Sequence, residues 1–185
     1  MAKTISTPLT GDVVNTLKAG DRVLLNGIIY TGRDAAHKRL AEMIERGEDL
    51  PFELKDSTIY YVGPCPAKPG QAVGSAGPTT SGRMDPYSPT LMDHGLRGMI
   101  GKGLRNKAVV DSMMKNNCVY FAAIGGAGAL LAEAIKEAEV VAFPDLGPEA
   151  IYKLRVEDFP VTVIIDSQGN NLYQTGKEKY QRVRA

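Results

Sequence analysis

Ser57-Thr58-Ile59-Tyr60-Tyr61-Val62-Gly63-Pro64-Cys65-Pro66-Ala67-Lys68-Pro69-Gly70 joins two kinds of sequence. Its first six residues are rich in β-branched and aromatic side chains and read as a strand. The next eight hold two glycines and three prolines and cannot form regular structure. The same grammar returns further on. Cys118-Val119-Tyr120-Phe121-Ala122-Ala123-Ile124 looks like a buried strand, Gly125-Gly126-Ala127-Gly128 like a turn, and residues 129–138 like a helix. Strands alternate with helical runs, so the fold class is α/β. Glycine-rich loops leave the strand ends, where α/β sheets place their ligands.

The flanks extend this pattern. Residues 3–9 alternate loosely and predict a first strand, and residues 22–30 a second, with a possible hairpin at Asn26-Gly27. Thr31 with Asp34 forms a capping-box-like pair that opens a helix carrying Ala36, Leu40, Met43 and Ile44, stopped at Gly47. Ser88 as N-cap and Pro89 as first helical residue predict a short helix ending near Gly95. Residues 108–114 predict another helix, 140–143 and 161–166 two more strands, and 177–184 a solvated basic tail.

The chain has 185 residues, enough for one domain with a proper core. Its net charge of +1 points to neither nucleic acid nor an anionic membrane. The charge is unevenly spread, however. Residues 1–62 carry 8 basic and 9 acidic side chains, residues 108–185 carry 8 and 10, but residues 63–107 carry 6 and only 2. Without a long basic run, a small anion suits that middle better than a polyanion. Cys65 and Cys118 form no CxxC pattern and cannot alone hold a four-thiolate centre. Nothing suggests a disulfide framework, which leads one to expect a reducing, cytoplasmic setting. No charged-then-apolar leader and no 18-residue apolar run is present, so neither signal peptide nor membrane span is expected.

Within the basic middle lies Gly77-Pro78-Thr79-Thr80-Ser81-Gly82-Arg83-Met84-Asp85. It has no apolar period, and its hydroxyls and arginine offer donors to an anion, although a plain turn-rich loop reads equally well. Arg33 sits where the predicted helix begins, an end whose dipole favours acids, so it suits a bound carboxylate or a solvated arginine. His37 lies one turn on, a packed, solvated or acid–base imidazole. Gly101-Lys102-Gly103 suggests a phosphate loop, but Leu96 stands where the first glycine is needed and Gly103 where Ser or Thr is needed. The glycines at 125, 126 and 128 match a dinucleotide fingerprint only in part, because Leu131 replaces the third.

Taken together, Tyr30-Thr31-Gly32-Arg33-Asp34-Ala35-Ala36-His37-Lys38-Arg39, Gly77-Pro78-Thr79-Thr80-Ser81-Gly82-Arg83-Met84-Asp85 and Gly101-Lys102-Gly103 resemble the signatures of the β subunit of class I fumarate hydratase. That module is also the C-terminal domain of single-chain enzymes and is shared with L-tartrate dehydratase β subunits. The likeness runs over nearly the whole chain. It implies one swivelling β/β/α domain over residues 1–185 and a partner α subunit that holds a [4Fe–4S] cluster through three cysteines, so no metal is expected in this chain. It implies that Arg33, Arg83 and Lys102 bind the dicarboxylate, that Thr79 is the base at the carbon losing a proton, and that His37, Thr80 and Asp85 stand behind them. A threonine hydroxyl is a weak base, so that role needs neighbouring cations to lower its pKa.

The reading that follows is the β subunit of a hydro-lyase, reversibly hydrating fumarate to L-malate in αβ pairs and inactive without the α subunit. Two alternatives stand beside it: a β subunit of L-tartrate dehydratase, and a non-enzymatic anion-binding module.

Overall fold

Residues 57–62 do what their composition demands. Ile59 and Tyr61 face one core, Tyr60 and Val62 another. The structure, a computed structural model, describes residues 1–123 and 127–181, the last three by backbone alone. Its strands are β1 (Lys3–Ser6), β2 (Arg22–Thr31), β3 (Thr58–Tyr60), β4 (Gly98–Gly101), β5 (Val119–Ala122), β6 (Ile135–Ala142) and β7 (Ile151–Ile165). Its helices are α1 (Gly11–Asn15), α2 (Asp34–Glu45), α3 (Ser88–Asp93), α4 (Lys107–Asn116), α5 (Gly128–Glu133) and α6 (Leu172–Gln181).

β2, β3, β4 and β5 pair parallel, in that order. The long β7 then pairs antiparallel with β5 at its end and with β2 along its middle. The pairings therefore return to β2, with β1 beside β2 and β6 beside β7 as outer strands. Alternation along β3, β4 and β5 feeds both faces. Tyr60, Ile100, Val119 and Phe121 meet Leu25 and Ile29 of β2 and Leu154, Phe159 and Val163 of β7. Ile59, Met99 and Tyr120 meet Leu40 of α2, Leu91 of α3 and Val109 and Met113 of α4. Parallel strands buried on both faces are the α/β arrangement expected from sequence.

Several local expectations are corrected. Asn26-Gly27 is no hairpin; β2 runs straight through it. Opposite it β7 carries an extra residue, and Asn26 holds Asp158 in both directions, Nδ2 to Oδ1 at 3.2 Å and Oδ1 from the Asp158 N–H at 3.0 Å. Gly27 has φ +112°, and a Cβ there would stand 2.6 Å from Thr7 Oγ1 and 2.9 Å from the Thr7 carbonyl. Thr31 does not cap α2, because its hydroxyl donates to the Ala150 carbonyl (3.3 Å) and accepts from the Tyr152 N–H (3.0 Å). Ser88 is the first residue of α3, not its cap, and its hydroxyl donates to the Met84 carbonyl at 2.9 Å. The predicted helix over 129–138 ends at Glu133, and β6 follows. The last strand begins ten residues before the expected position 161, at Ile151. The tail from Lys177 is helical through Gln181, and residues 182–184 lie outside the described residues, as do Ile124, Gly125 and Gly126.

Candidate functional site

Because β2 to β5 run parallel, the residues that follow them share one edge. Arg33 follows β2 and takes the N-cap position of α2 with extended backbone (φ −115°, ψ −163°) and no side-chain cap. The first N–H groups of α2 thus carry their partial positive charge beside a guanidinium. Arg33 lies over Gly63, which follows β3, and its Nε is 3.7 Å from Glu149 Oε1. Lys102 follows β4 and is exposed, without an ion pair among the described residues.

The loop at 77–85 is threaded between these ends. The Thr79 N–H donates to the Tyr61 carbonyl at 2.7 Å and the Ser81 N–H to the Lys102 carbonyl at 2.8 Å, while Thr80 forms a parallel bridge with Lys102. Its second half is a 3-10 turn over Ser81–Met84. That turn sends Arg83 to α2, where Nε and Nη2 reach Asp34 Oδ2 at 2.9 and 2.6 Å. Gly101 makes the crossing possible: a Cβ there would stand 1.9 Å from Ser81 Oγ. Among the described residues the Thr79 hydroxyl, half-buried at this edge, has no hydrogen-bond partner.

Four buried polar side-chain atoms lack a hydrogen-bond partner among the described residues, and three of them, Arg33 Nε, Asp34 Oδ1 and His37 Nε2, fall within five residues. Such atoms are costly unless a further group meets them, and here three lie together beside the start of α2. His37 is fully buried, with its Nδ1–H donating to the Arg33 carbonyl at 2.9 Å. Burial pushes its pKa down to about 4; the Arg33 carbonyl pulls the other way, the Arg105 charge lowers it further and Asp34 raises it. His37 thus braces the backbone of Arg33 as a neutral imidazole.

Asp85 faces inward. Its Oδ1 accepts from Arg105 Nε at 2.7 Å and its Oδ2 from the Asn106 N–H at 2.8 Å. Sequence reasoning missed Arg105 as a site neighbour, since a basic residue in a glycine-flanked loop reads as solvated. Asp34 and Glu149, the carboxylates facing the two arginines, were also missed as site residues; the alternating charges Arg33-Asp34 were the only signal for the first. Of the six basic residues in the middle, Arg97 is tied to Asp56 (2.7 Å) and to the Asn116 and Asn117 carbonyls, and Arg105 is buried. Arg83 and Lys102 are the two placed on the rim.

An iron–sulfur cluster does not fit this chain's own donors. The Cys118 thiol is buried, donates to the Leu96 carbonyl at 3.1 Å, and is pushed up to about 12 by burial. Cys65 is exposed in the proline loop. Among the described residues no three His, Cys, Asp or Glu side chains are grouped to hold a metal, and no helix is long and apolar enough to cross a membrane.

Guanidiniums, an ammonium, a helix N-terminus and an unpartnered hydroxyl thus meet on one strand edge of an α/β domain, a set of donors whose chemistry suits a small anion such as a carboxylate. The family model described as "Fumarase C-terminus" matches residues 3–176, and the chain belongs to that family. It is 46% identical over 155 residues to "Fumarate hydratase class I, anaerobic" of Escherichia coli (strain K12), covering 83% of this chain and 28% of that protein. It is 46% identical over 156 residues to "Fumarate hydratase 2" of Leishmania major, with the same coverages of 83% and 28%. It is 41% identical over 182 residues to "Putative L(+)-tartrate dehydratase subunit beta" of Methanocaldococcus jannaschii, covering 95% of this chain and 93% of that one. The chain therefore spans little more than a quarter of those fumarate hydratases and nearly all of the tartrate dehydratase subunit.

Proposed function

We propose that this chain is the β subunit of an iron–sulfur-dependent hydro-lyase that reversibly hydrates fumarate to L-malate, paired with an α subunit that holds a [4Fe–4S] cluster. The observation that carries the reading is the gathering of Arg33, Thr79, Arg83 and Lys102 on the one edge formed by the ends of β2, β3 and β4. Membership of the fumarase C-terminus family supports it.

In the malate-to-fumarate direction a proton leaves one carbon and hydroxide leaves its neighbour. Arg33 and Arg83, joined through Asp34 and the start of α2, bind a substrate carboxylate, and Lys102 compensates the negative charge that grows as the proton departs. Closing the site against the partner expels water and lets the cations lower the pKa of Thr79, whose hydroxyl gives its own proton to the departing solvent; the alkoxide then takes the carbon-bound proton at Oγ1 and returns to the hydroxyl. A cluster held by the partner would supply the Lewis acid for the hydroxyl. Behind these groups, His37 fixes the Arg33 backbone, and Thr80 and Asp85 fix the loop. The domain is read as a swivelling β/β/α unit that admits substrate by moving against the α subunit, and a reducing cytoplasm suits both its free thiols and the partner's cluster.

A second reading has its own support. The tartrate dehydratase subunit β matches end to end, which favours a separate-subunit enzyme acting on tartrate. Anaerobic reconstitution with a cluster-bearing α subunit, followed by assays on malate, fumarate and tartrate, decides. Turnover of malate is expected; turnover of tartrate alone replaces the first reading with the second, and no turnover of any of the three leaves the anion-binding module.

A further inference from the structure

Thr79, Arg83 and Lys102 belong to two separate turns, 79–85 and 102–106; the backbone joins them once, at Ser81 and Lys102, and a second set of links lies underneath. Tyr120 of β5 is buried, with its hydroxyl 2.8 Å from the Gly103 carbonyl and 2.9 Å from Ser81 Oγ. It has one proton. The carbonyl can only accept, so Tyr120 donates there and the Ser81 hydroxyl donates back to Tyr120. Each turn is thus bonded to the same phenol oxygen.

Arg105 makes the second link. It is 8% exposed and spends its fork on both sides: Nε on Asp85 Oδ1 at 2.7 Å, Nη2 on Ser88 Oγ at 2.8 Å and on the Tyr61 hydroxyl at 3.3 Å. Its guanidinium lies 4.9 Å from the Tyr120 ring and 5.3 Å from the Tyr61 ring. Asp85 closes the circuit by accepting the Asn106 N–H at 2.8 Å. A buried guanidinium that bonds a carboxylate, two hydroxyls and two aromatic faces has one low-energy placement, which only a fork can satisfy. None of these groups reaches the rim.

We propose that Tyr120 and Arg105 are positioning residues that lock the turn bearing Thr79 to the turn bearing Lys102. This rests on the reading of Thr79 and Lys102 as partners in one site. Arg33 and Arg83 have their own anchor at Asp34 and α2, so the lock governs the placement of base and ammonium more than the binding of the carboxylate. Loss of the lock therefore falls on kcat rather than KM, since a misplaced base costs the transition state.

Tyr120→Phe tests this with the ring packing kept. In the isolated chain the Ser81 N–H, bonded to the Lys102 carbonyl, is expected to lose protection from hydrogen exchange by roughly 10-fold while β4 and β5 keep theirs. In the reconstituted enzyme kcat is expected to fall roughly 10- to 100-fold with KM within about threefold. Arg105→Lys, which keeps the charge and loses the fork, is expected to show the same kcat-weighted loss wherever circular dichroism shows it folded. A Tyr120→Phe protein that is merely less stable, with Ser81 protection and kcat unchanged, overturns the proposal. If the unmutated pair turns over no substrate, the functional reading falls while the Ser81 exchange result still decides whether the lock exists.

Discussion

His37 shows how a residue can matter without touching a ligand. Its imidazole is buried between Tyr61 and Tyr87, with ring centroids at 5.2 and 6.4 Å, and burial holds its pKa at about 4 against the ordinary 6.5. The unfolded chain therefore takes up a proton that the folded chain refuses. The stability this contributes is complete above pH 6.5 and is lost as pH falls from 6.5 to about 4, by roughly 3 kcal/mol in total. Urea unfolding between pH 7 and pH 4 should show that decline, and the His37 Cε1 proton should not titrate above pH 5 in an NMR series; a titration near 6.5 would remove the argument. Arg83 belongs to the same scale but to the proposed function. Its pair with Asp34 is half-exposed and adds little to stability, about 0–1 kcal/mol. In the closed site it would face a desolvated carboxylate. Arg83→Ala should therefore leave Tm nearly unchanged and lower kcat/KM by about 2–5 kcal/mol of transition-state stabilisation, read as roughly 30-fold or more. A rate equal to wild type would take Arg83 out of the site. The residues proposed to carry the chemistry stood out because their sequence neighbours are unusual, with hydroxyls, glycines and a cation packed together, and the resemblance supplied their expected roles. Arg105 and Tyr120 were not, because burial is a property of the fold and no local pattern reports it.

At the scale of elements, strands with long β-branched or aromatic runs were readable, and the short β4 and the charged start of β6 were not. β3 and β5 show dense β-branched and aromatic runs. The start of β6, residues 135–138, reads as a helix because Lys136 and Glu137 are helix formers, while its end was expected as a strand over 140–143; as an outer strand, paired among the described residues only to β7, it can carry exposed charges that a central strand could not. β4 is four residues with glycine at each end, too short for a period to appear. Asn26-Gly27 carries the local signal of a turn, and tertiary pairing overrules it: β7 runs alongside and Thr7 packs against the glycine. The same contact makes a prediction. Gly27→Ala forces a side chain into a left-handed conformation (φ +112°) and into the Thr7 backbone at 2.9 Å. The cost should be roughly 2–4 kcal/mol, seen as a Tm lower by roughly 5–15 °C with an unchanged circular dichroism spectrum at 20 °C. Had Asn26-Gly27 been a solvent-facing hairpin turn, the substitution would still be strained but would meet no backbone across the sheet.

For the whole molecule, the decisive fact is that the rim faces outward. Arg83 has a side chain 52% exposed, Lys102 is exposed, and Arg33 is shielded only in part, at 27%. Water at this edge weakens each attraction, since two charges 4 Å apart gain only about 1 kcal/mol in bulk water against about 4 at a protein surface of intermediate polarity. Salt screens what is left, over about 8–10 Å at ordinary ionic strength. The isolated chain should therefore bind malate or fumarate only on the order of millimolar, and more weakly still at higher salt. Asp34 and Glu149 sharpen this, because both arginines already have a carboxylate of the chain beside them, and an incoming dicarboxylate must displace or outcompete it. Burying the rim under a second subunit changes each of these terms in one direction: water leaves, the dielectric falls, and the cations act on one small volume. NMR titration of the isolated chain at low and high salt, with Arg83→Ala as control, measures the open state. Weak, salt-sensitive shifts at Arg33, Asp34 and Ser81 that vanish in the variant are expected. Micromolar binding by the isolated chain, unaffected by salt, would mean that the rim is already a complete site and that no partner is needed to finish it.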